Sequence, residues 1–252
     1  MKPNGEITAI VWDYDGTLAD TRAKNLNVTR KIIARVTGSP GEALPALRSI
    51  AAYDAVQTKY ANWRELYLGE YGLSAEQTEY AGSLWTEYQL QDNTPAPLFQ
   101  GIAEVIQSLA SYPHGIVSQN SSRSILRALS HSKLADQIRM VVGYEEVPVK
   151  KQKPEPEGFL MCIEALTQYR PGLVVYVGDH ETDAACAAFT NKALQRHNRG
   201  IRVLHVAACY SGNSIDTWQY TPDFSVDSPG DILTLIEQVK LNAERGSTTK
   251  LL

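Results

Sequence analysis

Short apolar runs rich in β-branched residues recur along the chain, and several stop abruptly at a polar residue. Ile7-Thr8-Ala9-Ile10-Val11-Trp12 meets an Asp-x-Asp-Gly turn signal, the pattern of a buried strand entering a loop. His114-Gly115-Ile116-Val117-Ser118, Met140-Val141-Val142, Leu173-Val174-Val175-Tyr176-Val177 and Ile201-Arg202-Val203-Leu204-His205-Val206 repeat the theme, with helical periodicity between the later ones. Strands that alternate with helices predict an α/β fold with a parallel sheet covered on both faces. In such sheets ligands gather beyond the carboxyl ends of the strands. Three of the runs end there on polar side chains, Asp13, Ser118 and Asp179.

The texture changes between about Ala19 and Asn93, where no β-branched run occurs and the pattern is helical throughout. Val56, Tyr60, Trp63 and Tyr67 follow i, i+4, i+7, i+11 spacing, which predicts one helix face packed into the core of a small helical domain, with a substrate cleft as the alternative for one or two of the aromatics. Pro40-Gly41 and Leu44-Pro45 break this stretch, and Asn93-Thr94-Pro95-Ala96-Pro97 supplies a stiff exit that could act as a hinge. The predicted organisation is a discontinuous core of residues 1–18 and 94–244, an inserted helical domain over 19–93, and a flexible tail over 245–252.

Composition narrows the function classes. With 252 residues, 43% hydrophobic and 21% charged side chains, the chain reads as an ordinary globular protein. A formal net charge of −4 offers no electrostatic footprint for nucleic acid. No apolar run approaches the roughly 18–20 residues that span a bilayer, and the start Met1-Lys2-Pro3-Asn4-Gly5-Glu6 lacks a signal-peptide core, so a cytoplasmic location with no membrane partner is expected. Cys162, Cys186 and Cys209 lack zinc or redox spacing and read as buried free thiols.

Four segments carry chemistry. Asp13 and Asp15 stand close together at a strand end, where their repulsion calls for a cation or a shared proton; magnesium, a hard ion that takes oxygen ligands and keeps places for water and phosphate, suits them. Val177-Gly178-Asp179-His180-Glu181-Thr182-Asp183 ends a second strand on acid. Asp179 reads either as a metal ligand or as the cap of the following helix, and Asp183 lies one turn on, facing the same way. Lys153, in Lys150-Lys151-Gln152-Lys153-Pro154-Glu155-Pro156, precedes a proline that favours extended backbone and could screen the acids or neutralise phosphate as a point charge. Ser118 and Gln119 precede a helix start that accepts an anion readily, with Ser121 or Ser122 as its cap.

Taken together, Asp13-Tyr14-Asp15-Gly16-Thr17-Leu18, Ser118 after Gly115-Ile116-Val117, Lys153-Pro154-Glu155-Pro156 and Gly178-Asp179 through Asp183 resemble, in order and in placement, the four motifs of the haloacid dehalogenase-like hydrolase superfamily. The helical stretch between the first two motifs resembles the cap of its phosphoglycolate phosphatase-like branch. The resemblance implies a Rossmann-like core with an inserted helical cap. It implies a magnesium-dependent phosphatase acting on a small phosphorylated metabolite, of phosphoglycolate or sugar-phosphate type, through an aspartyl-phosphate. Asp13 would be the nucleophile and Asp15 the general acid and base; Asp13, Asp179 and the backbone carbonyl of Asp15 would hold magnesium, with Asp183 orienting the metal site. Ser118, Gln119 and Lys153 would bind phosphate, Ser118 and Lys153 taking part in catalysis.

Position 15 separates this reading from dehalogenation, since the dehalogenases of the superfamily carry no second aspartate there. A phosphomutase is the alternative, weakened because Asp20 to Arg30 contains no histidine. A non-catalytic phosphate-binding module is the other, against which the intact acids speak. His180 stands where the family more often has a small hydroxyl residue, and it reads as a first-turn helix residue beside a solvated Glu181. Arg22, Lys24, Lys59 and Arg64 are the cationic candidates for substrate contacts in the cap. No pattern in the chain addresses oligomeric state.

Overall fold

Six strands form one parallel sheet: β1 (Ile7–Trp12), β2 (His114–Val117), β3 (Ile138–Val142), β4 (Gly172–Gly178), β5 (Ile201–Ala208) and β6 (Phe224–Val226). Their order across the sheet is β3-β2-β1-β4-β5-β6. The structure, a computed structural model, describes residues 5–57, 59–60, 62–130, 132 and 134–244; the tail expected over 245–252 lies outside the described residues. The backbone divides into two compact units, one of Met1–Ala19 with Leu98–Leu252 and one of Asp20–Pro97.

The strands β1 and β4 are buried along their whole length, so their apolar runs are continuous, as strands covered on both faces must be. Alternate residues serve opposite faces. Ile10 and Trp12 of β1 join Val175 and Val177 of β4 in one core cluster with Ile106, Ile125 and Ile236. Ala9 and Val11 join Val174 and Tyr176 in the other, with Phe159, Ile163, Ala187 and Leu194. The first face is therefore covered by helices Ile102–Ser108, Ser122–Ser130 and Asp231–Glu244, the second by Glu157–Thr167 and Glu181–Arg196. The edge strand β6 escapes the sequence pattern, being three residues long and only partly buried.

The helical unit holds α1 (Arg22–Thr37), α2 (Ile50–Gln57), α3 (Trp63–Gly69) and α4 (Ala75–Gln91), and numbering the helices of the sheet unit onward makes them α5 (Ile102–Ser108), α6 (Ser122–Ser130), α7 (Glu157–Thr167), α8 (Glu181–Arg196) and α9 (Asp231–Glu244). Short 3-10 turns at Gly41–Ala43 and Pro45–Leu47 occupy the proline breaks. The single helix expected from Val56 to Tyr67 is instead two. Asn62 starts α3, its side chain accepting the N–H of Glu65 at 3.1 Å and donating to the Glu65 carboxylate at 2.9 Å. An Asn followed three residues later by Glu is a helix-start signature, and it outweighs the periodicity that runs through it. The core reading of the same residues holds: Val56 and Tyr67 are buried with Leu26, Ile32, Ile33 and Leu66, and Tyr60 and Trp63 pack against them. Of the three cysteines, Cys162 and Cys186 are buried and Cys209 only half so.

Candidate active site

The site follows from the strand order. The central strand β1 lies between β2 and β4, so the residues leaving these three strands emerge side by side. Asp13 continues the sheet for one more bond, its N–H donating to Val177 O at 2.8 Å, and Ser118 does the same to Val142 O at 2.9 Å. Gly16 then turns the chain with φ +72°, a conformation that side chains resist. A Cβ at Gly16 would strike the Asp179 carboxylate, and one at Gly178 would strike that of Asp183. Glycine at these two positions lets the backbone close tightly around the acids.

Lys153 reaches this cluster from the loop before α7. Its buried ammonium donates to Asp13 Oδ1 at 2.7 Å, to Asp183 Oδ1 at 2.7 Å and to the Tyr176 hydroxyl at 2.8 Å, which uses its three donors. The Tyr176 hydroxyl in turn donates to Asp183 Oδ1 at 2.6 Å, and His180 N–H donates to Asp183 Oδ2 at 3.1 Å. Both oxygens of Asp183 are thus committed to the protein. Asp13 bonds to Lys153 through Oδ1, while Asp179 accepts from the Asn213 side chain, which donates to its Oδ2 at 2.8 Å and to its backbone O at 3.1 Å.

Asp15 bonds to a different loop. The Asn120 side chain donates to both Asp15 oxygens at 3.1 Å, and the Ser118 hydroxyl lies 3.5 Å from Asp15 Oδ2 while accepting Asn120 N–H at 3.1 Å. Gln119 is exposed, and its amide donates to the backbone O of Lys153 at 2.9 Å, tying the two loops together. The Lys153 ammonium bonds Asp13, and the Asn120 amide is among the groups that meet Asp15.

The electrostatics follow from burial and from one cation among several acids. Burial pushes the Asp13 carboxyl up, Lys153 opposes it, and Asp183 and Asp15 add to the rise. For Lys153 burial alone would lower the pKa, but the charges of Asp13 and Asp183 raise it. Both partners of one ion pair are thus raised, because a single lysine does not outweigh burial and two further acids at Asp13. Asp183 ends below the ordinary range: burial raises it, but the charge and hydrogen bond of Lys153, with that of Tyr176, prevail. Asp179 is driven well above it, by burial first and then by Asp13, Asp183 and Asp15.

One oxygen from each of Asp13, Asp179 and Asp183 lies within 4.8 Å of the others. An all-carboxylate set with too little positive charge fits a hard divalent cation such as magnesium. Because Asp183 is committed to Lys153, Tyr176 and His180, Asp13 and Asp179 are the acids best placed to accept it.

Other expectations resolve locally. The cap of α8 is His180, not Asp179: its Nδ1 accepts Thr182 N–H at 3.2 Å, which leaves the Asp179 carboxylate in the cluster. His180 thus precedes the first turn. Glu181, expected to be solvated, accepts the N–H groups of Gln219 and Tyr220. The anion met by the start of α6 is internal: Glu145 accepts from Ser121 at 2.8 Å and Ser122 at 2.7 Å. Within the helical unit, Arg22 pairs with Asp20 at 2.6 Å, Lys24 donates to Asp92 O at 3.0 Å and Arg64 pairs with Glu79 at 2.9 Å. Lys59 is exposed. The sequence reading missed Tyr176, Asn120 as partner of Asp15, Glu145 and Asn213; Tyr176 lay in a run read only as a strand, and Asn120, two residues beyond Ser118, inside a segment marked for chemistry.

A family model described as haloacid dehalogenase-like hydrolase matches residues 10–193. The pyrophosphatase PpaX of Listeria innocua is 26% identical over 237 residues, covering 92% of this chain and 97% of that protein. A phosphoglycolate phosphatase of Rhodobacter capsulatus is 26% identical over 191 residues, covering 71% and 78%. Among solved structures, a haloacid dehalogenase-like family hydrolase of Streptococcus pneumoniae superposes with a TM-score of 0.62 at 18% identity, covering 91% of this chain and 98% of its own. That likeness speaks to the fold.

Proposed function

The chain belongs to the haloacid dehalogenase-like hydrolase family, and on that premise we propose that it is a phosphatase in which Asp13 attacks phosphorus and Asp15 moves the proton. The observation that carries the reading is the split between the two carboxylates. Asp13 is buried and fixed by Lys153, as a nucleophile must be. Asp15 is half-buried and accepts from the Asn120 amide; it is open to substrate and water, as a group that gives its proton to the departing oxygen and takes one from water must be.

In the first step an Asp13 oxygen bonds to phosphorus, the bond from phosphorus to the leaving oxygen breaks, and Asp15 protonates that oxygen. In the second, Asp15 removes a proton from water, which attacks phosphorus and frees Asp13 and inorganic phosphate. Lys153 keeps Asp13 in place and offers positive charge to the transferring oxygens; Ser118, beside Asp15, supplies a hydroxyl donor, and Gln119 steadies the Lys153 loop. Asp183 and Tyr176 hold Lys153. Magnesium, held by Asp13 and Asp179 and by the backbone carbonyl of Asp15, would offset the charge of an incoming phosphate and polarise its oxygens.

The substrate class is a small phosphorylated metabolite. The relatives named above make pyrophosphate and phosphoglycolate the first compounds to try. Phosphate release should be measured across these two, glycerol phosphate, sugar phosphates and an aryl phosphate. Turnover of at least one, falling to background with a chelator and returning with magnesium, is the expected result. Release that ignores chelation, or none from any compound, would contradict the proposal.

A further inference from the structure

The side-chain donor to the Asp179 carboxylate comes from far along the chain. Asn213 lies in the segment after β5, where Gly212 takes φ +97°. Its one amide group bonds both the carboxylate and the backbone O of Asp179, which sets the direction of the side chain relative to its own main chain. The same carboxylate oxygen, Oδ2, lies against Gly16, with no room there for a Cβ.

The segment that carries Asn213 is itself anchored around the cluster. At its start the Tyr210 hydroxyl donates to Thr17 O at 2.8 Å, in the loop that follows Asp13. At its far end Glu181, two residues beyond Asp179, accepts Gln219 and Tyr220 N–H. Trp218 packs near the buried His205 ring at 6.3 Å, and Tyr220 meets Phe189 edge-on at 5.6 Å. Such anchoring gives Asn213 a fixed position from which to aim one oxygen of Asp179.

We infer that Asn213 is a positioning residue for the cation: by occupying Oδ2 it presents Asp179 Oδ1 toward Asp13 in the orientation needed for ligation. The inference rests on the proposed magnesium-dependent reading. Groups that orient a ligand from behind typically change metal affinity by about 10- to 100-fold when removed. Asn213→Ala and Asn213→Leu both lose the donor, and leucine keeps the volume.

The full chain, free of substrate, should be titrated with manganese(II), reading free ion by electron paramagnetic resonance, with magnesium then added in competition. Both variants should bind manganese about 10- to 100-fold more weakly than wild type. Their melting temperatures in chelator should stay at the wild-type value, and the magnesium concentration for half-maximal turnover should rise by a similar factor while turnover at saturating magnesium recovers. Wild-type affinity in both variants overturns the inference, as does wild-type affinity in Asn213→Leu alone, which would show a space-filling role. A wild-type chain that binds no manganese overturns the cation reading itself, an outcome distinct from the failure of the Asn213 role.

Discussion

Replacing Asp13 with asparagine is expected to lower turnover by about 10⁴- to 10⁶-fold, the scale on which removal of an attacking group acts. Asparagine keeps the shape and can still accept a bond from Lys153, so a role confined to packing predicts almost no loss. Stability should hardly suffer. Burial, with Asp183 and Asp15, already disfavours the ionised form of Asp13, and Lys153 keeps Asp183 as its counterion at 2.7 Å. The melting temperature in chelator is therefore expected to hold or rise. Turnover within tenfold of wild type, on the best substrate of the panel, would refute the nucleophile assignment.

Lys153→Met is expected to damage both function and fold. The lysine is buried among Asp13, Asp183 and Tyr176, and removing one partner from a buried ion pair costs about 3–5 kcal/mol because the remaining charge is left uncompensated. For a chain of this size that is a fall in melting temperature on the order of 10 °C, measured in chelator so that no cation substitutes for the ammonium. Combining Lys153→Met with Asp183→Asn should recover part of the stability, since neighbours in one network are not additive, but not the turnover. An unchanged melting temperature in the single variant would show that Lys153 does not hold the cluster together.

The sheet was legible where burial was complete. Strands β1 and β4 stand out because both of their faces are covered, whereas β6 pairs only with β5 over three residues and carries too short a pattern. In the helical unit, periodicity identified the buried residues correctly and misjudged continuity, because the Asn62 cap interrupts the chain without altering the spacing of apolar residues. Periodicity records which face is buried, and says nothing of where the backbone bonds are handed to a side chain.

The site shows the same division. Asp13, Ser118 and Asp179 were visible because each follows an apolar strand, and Lys153 because prolines frame it. Their partners were not. The Asn120 bond to Asp15 spans 105 residues and the Asn213 bond to Asp179 spans 34, so neither belongs to a local pattern. Tyr176 reads in the sequence as one more apolar strand position; only the fold places its hydroxyl between Lys153 and Asp183. His180 shows a subtler limit: a histidine cap satisfies Thr182 N–H as a serine or aspartate would, which leaves Asp179 available to the cluster.

Covalent phosphorylation of Asp13 is tested most directly by acid-quenching single turnovers of wild type and Asp15→Asn, reducing the acyl phosphate with borohydride and mapping the modified peptide by mass spectrometry. Loss of the Asp15 proton carrier should slow breakdown of the phosphorylated form. The predicted result is a homoserine at position 13 and nowhere else, more abundant in Asp15→Asn than in wild type. Phosphate release with no modification at position 13, or modification of another residue, would contradict it.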